Sequence, residues 1–432
     1  MRSKSNFTFL YSIVAPFLIF ALAAAFPGCK ESPGKTVGLE FWGVFDDSDV
    51  YSPLIESFNK QYPNIKIRYT KKNYLDYEKD LLEAMAAGRG PDLLMLHNTW
   101  LPKYQDKISA VAEDLITLKE FKETFVDVAA ADFVKDSDIY ALPLYVDTLA
   151  LYYNKDILNT AGIPEAPKTW EEFLETVEKT TLKDERGNVS RAGAAIGTAR
   201  NINRSIDILS VLMLQSGVSM INQNRTAAAF GERVSLEGEE FFPGERALQF
   251  YTDFANPLKS VYTWNTRMHY SIDAFYEGQA AMMFNYSHHF STIRAKSPYL
   301  NFAAAPLPQI KTSAIDVNYA NYWGLAVSKN SKNAKQAWQF ISWLSQKENS
   351  RKYLETTRKP AARRDLISEQ KNDPDLGVFA RQALTARSWY QVDNSAIETI
   401  MAEMIESVVL GETTIKEAVE KATAQVTVLM KD

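Results

Sequence analysis

The chain has 432 residues, 48 of them basic and 53 acidic, with four histidines and one cysteine, for a formal charge of −5. That acidic balance argues against a nucleic-acid partner, and a single cysteine forms no intramolecular disulfide. The length exceeds what one hydrophobic core usually organises, so two lobes are expected.

Arg2 and Lys4 precede an apolar run from Phe7 to Phe26, which gives way to Pro27-Gly28-Cys29 and then to polar Lys30-Glu31-Ser32. This is the order of a secretory signal. The run approaches the roughly 20 apolar residues of a membrane span, which leaves an uncleaved anchor helix as the rival reading. Against it, the sole cysteine stands at the cleavage point. The arrangement resembles a bacterial lipobox, which implies a signal peptide over 1–28, a lipid on Cys29, and a body attached to a membrane and facing the periplasm or cell exterior. Phe26 and Pro27 depart from the usual leucine and small residue. Loss of 1–28 leaves 46 basic against 53 acidic residues, a charge of −7, and residues 29–35 read as a tether.

The folded body begins with Val37, Leu39 and Phe41 alternating with Gly38, Glu40 and Trp42, a strand pattern. A helix is expected from Pro53 to Tyr62, a strand over Ile65 to Tyr69, a helix from Tyr74 to Ala87 stopped by Gly88, and an apolar strand from Asp92 to Leu96. That alternation predicts an α/β fold with a parallel or mixed sheet. Extended segments follow at Ile139 to Leu144 and Leu149 to Tyr153, and Thr169 with Glu172 predicts a capping box. Helices are expected at Ile206 to Ser216, Pro243 to Ala255, Ala334 to Leu344 and Ile397 to Leu410, with strands at Ala280 to Phe284, Phe302 to Ala305 and Gly324 to Val327. The polar stretch Asn222 to Gly238 reads as a surface insertion.

Six stretches, in order, resemble the family 1 extracellular solute-binding proteins of bacterial ABC importers, the group containing the maltose-binding protein. They are Leu39-Glu40-Phe41-Trp42 with Phe58 to Pro63; Ala87 to Asp92; Tyr140-Ala141-Leu142-Pro143 with Leu151 to Asp156 and Pro167 to Phe173; Phe275 to Met282 with Ala304 to Pro308; Gly324 to Ser328 with Ala337 to Ile341; and Pro360 to Arg363. The resemblance implies a periplasmic-binding-protein-like fold of two α/β lobes with three crossings (type II topology), near Tyr145 to Thr148, Ala281 to Phe284 and Tyr322 to Leu325. One lobe would hold 36–145 and 283–322, the other 148–281 and 325–432. It also implies capture of a small carbohydrate in the cleft, delivery to ABC permease subunits, a monomeric body, and neither cofactor nor metal.

A sugar site needs aromatic platforms beside amides, carboxylates and arginines. The candidates are Trp42, Asp46 and Asp47 after the first strand; His97, Asn98, Thr99 and Trp100 after the third; Asp147 at the first crossing; Trp264 and Asn265 in a loop; Trp323 at the third crossing; and Arg387 with Trp389 in a late loop. Asn285-Tyr286-Ser287-His288 and Tyr322 stand where many relatives carry glycines, which predicts a narrowed pocket at Tyr286, His288 and Tyr322. The aromatic and acidic character of this set favours a neutral or cationic ligand.

An enzyme is the rival class, since two carboxylates roughly 5 to 10 Å apart serve glycoside hydrolysis. The chain has no Gly-x-Ser-x-Gly elbow, no phosphate loop and no His-Glu-x-x-His helix, and its histidines lack zinc spacing. The same cleft would also suit a sensor subunit or the capture of a non-sugar solute.

Overall fold

The computed structural model describes residues 36–236 and 239–431, so the signal segment and Cys29 lie outside the described residues. Strands and helices alternate from the start. β1 (Val37–Gly43), α1 (Ser48–Gln61), β2 (Ile65–Lys71), α2 (Tyr77–Ala86) and β3 (Leu93–His97) follow one another as the alternation predicts. Gly88, at φ +67°, supplies the left-handed turn that stops α2, and its N–H donates to the Met85 carbonyl. Further along come β4 (Asp147–Thr148), β5 (Ala150–Asn154), α3 (Ser205–Gln215), β6 (Met282–Asn285), β7 (Phe302–Ala305), β8 (Asn318–Asn321), β9 (Trp323–Ser328), α4 (Ala334–Leu344), β10 (Ala386–Arg387) and α5 (Asn394–Val409).

Two hydrophobic cores organise these elements. In the first, β1 runs parallel to β2 and β3, and β9 lies antiparallel to β3 with Trp323 opposite His97 and Leu325 opposite Met95. In the second, β5 is the middle strand, antiparallel to β6 on one side and to β7 on the other. A third, small sheet joins the lobes. β8 pairs antiparallel with β4 (Asn321 opposite Asp147) and parallel with β10 (Tyr319 opposite Arg387). The chain changes core between Val146 and Leu149, between Tyr319 and Ala320, and again around β10. All three crossings therefore lie side by side in one sheet, a short and well-bonded hinge.

This path corrects the expected lobe boundaries. Residues 283–319 stay in the second core because β6 and β7 both hydrogen-bond to β5, so no crossing occurs at Ala281 to Phe284. Residues 325–367 return to the first core because β9 is a strand of the first sheet, and α4 covers it with Ala337, Trp338, Phe340, Ile341 and Leu344. The crossing expected near Tyr322 to Leu325 falls just before it, and the third is at β10.

At the expected capping box the Thr169 side chain accepts from the Glu172 N–H, whereas the Glu172 carboxylate takes the Lys168 N–H, one residue short of a reciprocal box. Full boxes form instead at Thr117 with Glu120 and at Thr414 with Glu417. The expected insertion contains the strand Val234–Leu236, which pairs antiparallel with Glu239–Phe241 just beyond it. No helix among the described residues is long and apolar enough to cross a membrane.

Candidate functional site

The hinge sheet fixes the floor of the cleft. Asp147, buried in β4, accepts from the Ser287 N–H at 3.1 Å, the Ser287 hydroxyl at 2.8 Å and the Thr148 N–H at 2.9 Å, with His288 Nδ1 at 3.7 Å. Its oxygens are spent tying β4 to the turn after β6. Asp46 is spent in the same way. Lys359 Nζ lies 2.6 and 2.8 Å from its two oxygens and the Tyr353 hydroxyl donates to it at 2.7 Å. Burial pushes the Lys359 ammonium below its ordinary range and Asp46 works against that shift. Asp47 is exposed and paired with Lys71 at 2.8 Å. Asp46 and Asp47 are thus paired with lysines and Asp147 is engaged by neutral donors, which weakens the reason to favour a cationic ligand.

An aromatic wall stands on the first lobe. Trp323 meets Trp100 edge-on at 4.9 Å, His97 at 5.1 Å and Phe45 at 5.6 Å, and Trp100 is stacked on Tyr104 at 5.2 Å. Trp323 and Trp100 are buried, so they serve as struts; the open ring faces belong to Phe45, 40% exposed, and Tyr74, 51% exposed, whose centroids are 5.6 Å apart. Trp42 lies outside this wall and carries Lys72 Nζ 4.1 Å above its ring.

A polar wall stands on the second lobe. Arg204, just before α3, adopts φ +63° and holds its guanidinium 5.5 Å from the Tyr286 ring, while the Tyr286 hydroxyl donates to Asp207 at 2.7 Å. Burial raises the Asp207 carboxyl above its ordinary value and the Arg204 charge pulls it back. Burial opposes the charge on Arg204, but Asp207, Tyr286, Tyr74 and Glu398 outweigh it. His97 reaches Asn321 of the hinge strand at 3.3 Å, and burial, with Arg204 adding to it, lowers its imidazole to about 4. The Arg204 charge is thus felt at His97 of the first lobe. Arg204 Nε, Asn203 Oδ1, Asn285 Nδ2 and His289 Nδ1 are buried atoms without a hydrogen-bond partner among the described residues. Each such atom costs roughly 1–3 kcal/mol until something pairs with it.

Asn98, Arg387 and Trp389 come together in a separate cavity of about 360 Å³ between the lobes. There Asp132 accepts from Asn98 Nδ2 at 3.1 Å, from the Tyr322 hydroxyl at 2.8 Å and from Ser388. Burial raises the Asp132 carboxyl to about 6.

Two expectations fail. Trp264 is fully buried, its indole N–H on Asn201 Oδ1 at 3.3 Å, so it packs the second core and offers no platform. Asn265 beside it is held by Tyr262 and Arg267. Tyr322 does not narrow the cleft; its ring packs edge-on against Phe133 at 5.4 Å and its hydroxyl points to Asp132. Tyr286 is likewise buried, though its ring carries Arg204, while the His288 side chain is half exposed. The wall residues missed in the sequence are Phe45, Tyr74, Arg204, Asp207 and Asn321. Phe45 was adjacent to a chosen acid, and the polar run Arg200-Asn201-Ile202-Asn203-Arg204 before an apolar helix was the available signal for Arg204.

Two α/β lobes joined by three neighbouring strands, with an aromatic wall facing a polar one, define a hinged binding protein. The chain belongs to the bacterial extracellular solute-binding protein family, which it matches over residues 43–350. It is 23% identical over 418 residues to a galactooligosaccharide-binding protein of Bacillus subtilis, covering 93% of this chain and 92% of that one. In fold it is similar to an ABC transporter solute-binding protein from Thermotoga lettingae bound with α-D-tagatose, at TM-score 0.71 and 22% identity over 91% of this chain and 100% of that one. It is also similar to the cyclic α-maltosyl-1,6-maltose binding protein of Arthrobacter globiformis, at TM-score 0.76 and 18% identity over 92% and 99% of the two chains.

Proposed function

We propose that this chain is the capture component of an ABC import system, taking a mono- or oligosaccharide into the interlobe cleft and presenting it to permease subunits in the membrane. The observation that supports this reading is the half-exposed ring pair Phe45 and Tyr74 on the first lobe together with Arg204 on the second, whose charge is felt at His97 of the first. A pyranose ring has an apolar C–H face that stacks on an aromatic side chain and a rim of hydroxyls that pairs with such a donor. A ligand touching both walls binds the closed arrangement better and so draws the hinge shut. The sugar-binding names of the relatives agree with this.

In this reading capture leaves the sugar unchanged, and the engagement of Asp46, Asp47 and Asp147, the acids weighed for hydrolysis in the sequence, supports it. It calls for neither cofactor nor metal. The lipobox-like segment at Cys29 supports export and a lipid anchor, and the folded body works as a monomer. A panel of mono- and oligosaccharides tests the reading. At about 100 times its dissociation constant, a ligand stabilises the fold by about 2.7 kcal/mol, a clear rise in Tm. If no saccharide moves Tm or tryptophan fluorescence, the carbohydrate assignment fails.

A further inference from the structure

We infer that the cavity between the lobes receives an anionic substituent of the captured saccharide, so that the ligand is an acidic oligosaccharide bearing a carboxylate or sulfate. The inference rests on the carbohydrate reading and narrows its substrate class. The cavity, about 360 Å³, exceeds the room a single inorganic anion needs and is walled by both lobes. Three of its lining side chains are cationic: Lys135 from the first lobe, Arg225 from the second, and Arg387 on the hinge strand β10. None of the three has a carboxylate partner among the described residues. The one carboxylate in the lining, Asp132, is turned to Asn98, Tyr322 and Ser388. The lining therefore carries a net positive charge that no carboxylate among the described residues pairs with.

All three are exposed; Lys135 Nζ donates to Gln105 Oε1, and the loop that carries Arg225 is held in place. Asn222 Oδ1 accepts from the Thr226 N–H at 2.9 Å and the Asn222 carbonyl accepts from the Arg225 N–H at 3.0 Å, which fixes the tight loop carrying Arg225. The Arg225 guanidinium lies 5.1 Å from the Tyr390 ring. Beside it, Trp389 is 6% exposed and its buried indole N–H has no partner among the described residues. Asn98, in the same lining, is the neighbour of His97, which touches Trp323 in the aromatic wall. Trp323 in turn backs the exposed Phe45 and Tyr74 rings, and one saccharide is inferred to reach from that ring pair to the cavity. An anion held by Lys135 and Arg225 at once contacts both lobes and adds to closure.

The test is calorimetry at about 50 mM salt, where surface electrostatics are only partly screened. Oligogalacturonates, oligomannuronates and sulfated galacto-oligosaccharides are each compared with the neutral oligosaccharide of the same linkage, and sodium sulfate is titrated alone. An acidic oligosaccharide is expected to bind at least about tenfold more tightly than its neutral counterpart, one charge-assisted hydrogen bond being worth that much. The double variant Lys135→Gln/Arg225→Gln is expected to erase that preference while neutral binding persists. Which arm binds distinguishes a uronate from a sulfate ester. Equal or tighter binding of the neutral sugars, a preference that survives the double variant, or sulfate alone binding as tightly as the oligosaccharides would overturn the inference and leave the carbohydrate reading standing. If no saccharide of either kind binds, both fall together.

Discussion

Replacing Arg204 by glutamine removes the charge at the centre of the polar wall while keeping an amide donor on a shorter side chain. The Arg204 Nε has no partner among the described residues, so its hydrogen bond is expected to go to a ligand hydroxyl. A hydrogen bond to a charged group contributes about 1.5–3 kcal/mol, which is roughly a 10- to 150-fold weaker dissociation constant when it is lost. Folding should suffer too. The variant gives up the cation held 5.5 Å from the Tyr286 ring, worth about 1 kcal/mol, and takes from the buried Asp207 its main opposite charge, a loss of up to about 3–5 kcal/mol that the Tyr286 hydroxyl bond only partly offsets. Without Arg204 the buried Asp207 carboxyl rises further, so any residual binding should depend on pH more strongly than the parent's. Titration of an identified saccharide into both proteins, with a urea melt of each in its absence, reads the two effects separately. Arg204→Gln binding within twofold of the parent, with unchanged stability, would refute the assignment of the polar wall.

Phe45→Ala and Tyr74→Ala should each weaken saccharide binding about tenfold and leave Tm nearly unchanged, since both rings are half exposed; a competing-ligand fluorescence titration checks this. Lys359→Met should destabilise the fold by about 3–5 kcal/mol by stranding Asp46, and Asp46→Asn/Lys359→Met should recover most of it, measured by urea unfolding. Burial holds the imidazoles of His97 and His289 down to about 4 and about 3, so the unfolded chain takes up protons first as pH falls through 6.5. Stability is then lost between about pH 6.5 and 4, by about 1.4 kcal/mol per pH unit for each histidine. Asp132 acts with the opposite sign: its native value of about 6 lies above the unfolded one, so between pH 6 and 4 the folded state binds the extra proton and gains stability. Asp132→Asn should therefore steepen the acid loss by about the same amount per unit, seen in melts across that range.

Local patterns were legible wherever one element decided its own shape. The alternation at Val37 to Trp42, the helix Ala334–Leu344 and the strand Phe302–Ala305 are where periodicity placed them. Lobe membership was not legible, because it depends on partners far away in sequence. Nothing in Gly324 to Val327 announces that it pairs with Leu93 to Leu96, and that pairing moves 325–367 to the first lobe. The same limit governed the site. Asp46 and Asp147 are acids after strands, the right kind of residue in the right place, but Lys359 and Ser287, far along the chain, consume them. Trp264 and Trp323 are indistinguishable in the sequence, and only the fold separates a core residue from the backing of an exposed ring pair. Arg204 was hidden for the converse reason: one arginine in a polar loop acquires meaning only when Tyr286 and Asp207 are brought to it.

A crystal structure of the complex with a tight-binding saccharide decides whether the two walls grip one ligand. One sugar chain is expected between the lobes, with a ring on Phe45 or Tyr74 and a hydroxyl on Arg204. A saccharide bound to a single lobe, or held away from both walls, would contradict capture by closure of the cleft.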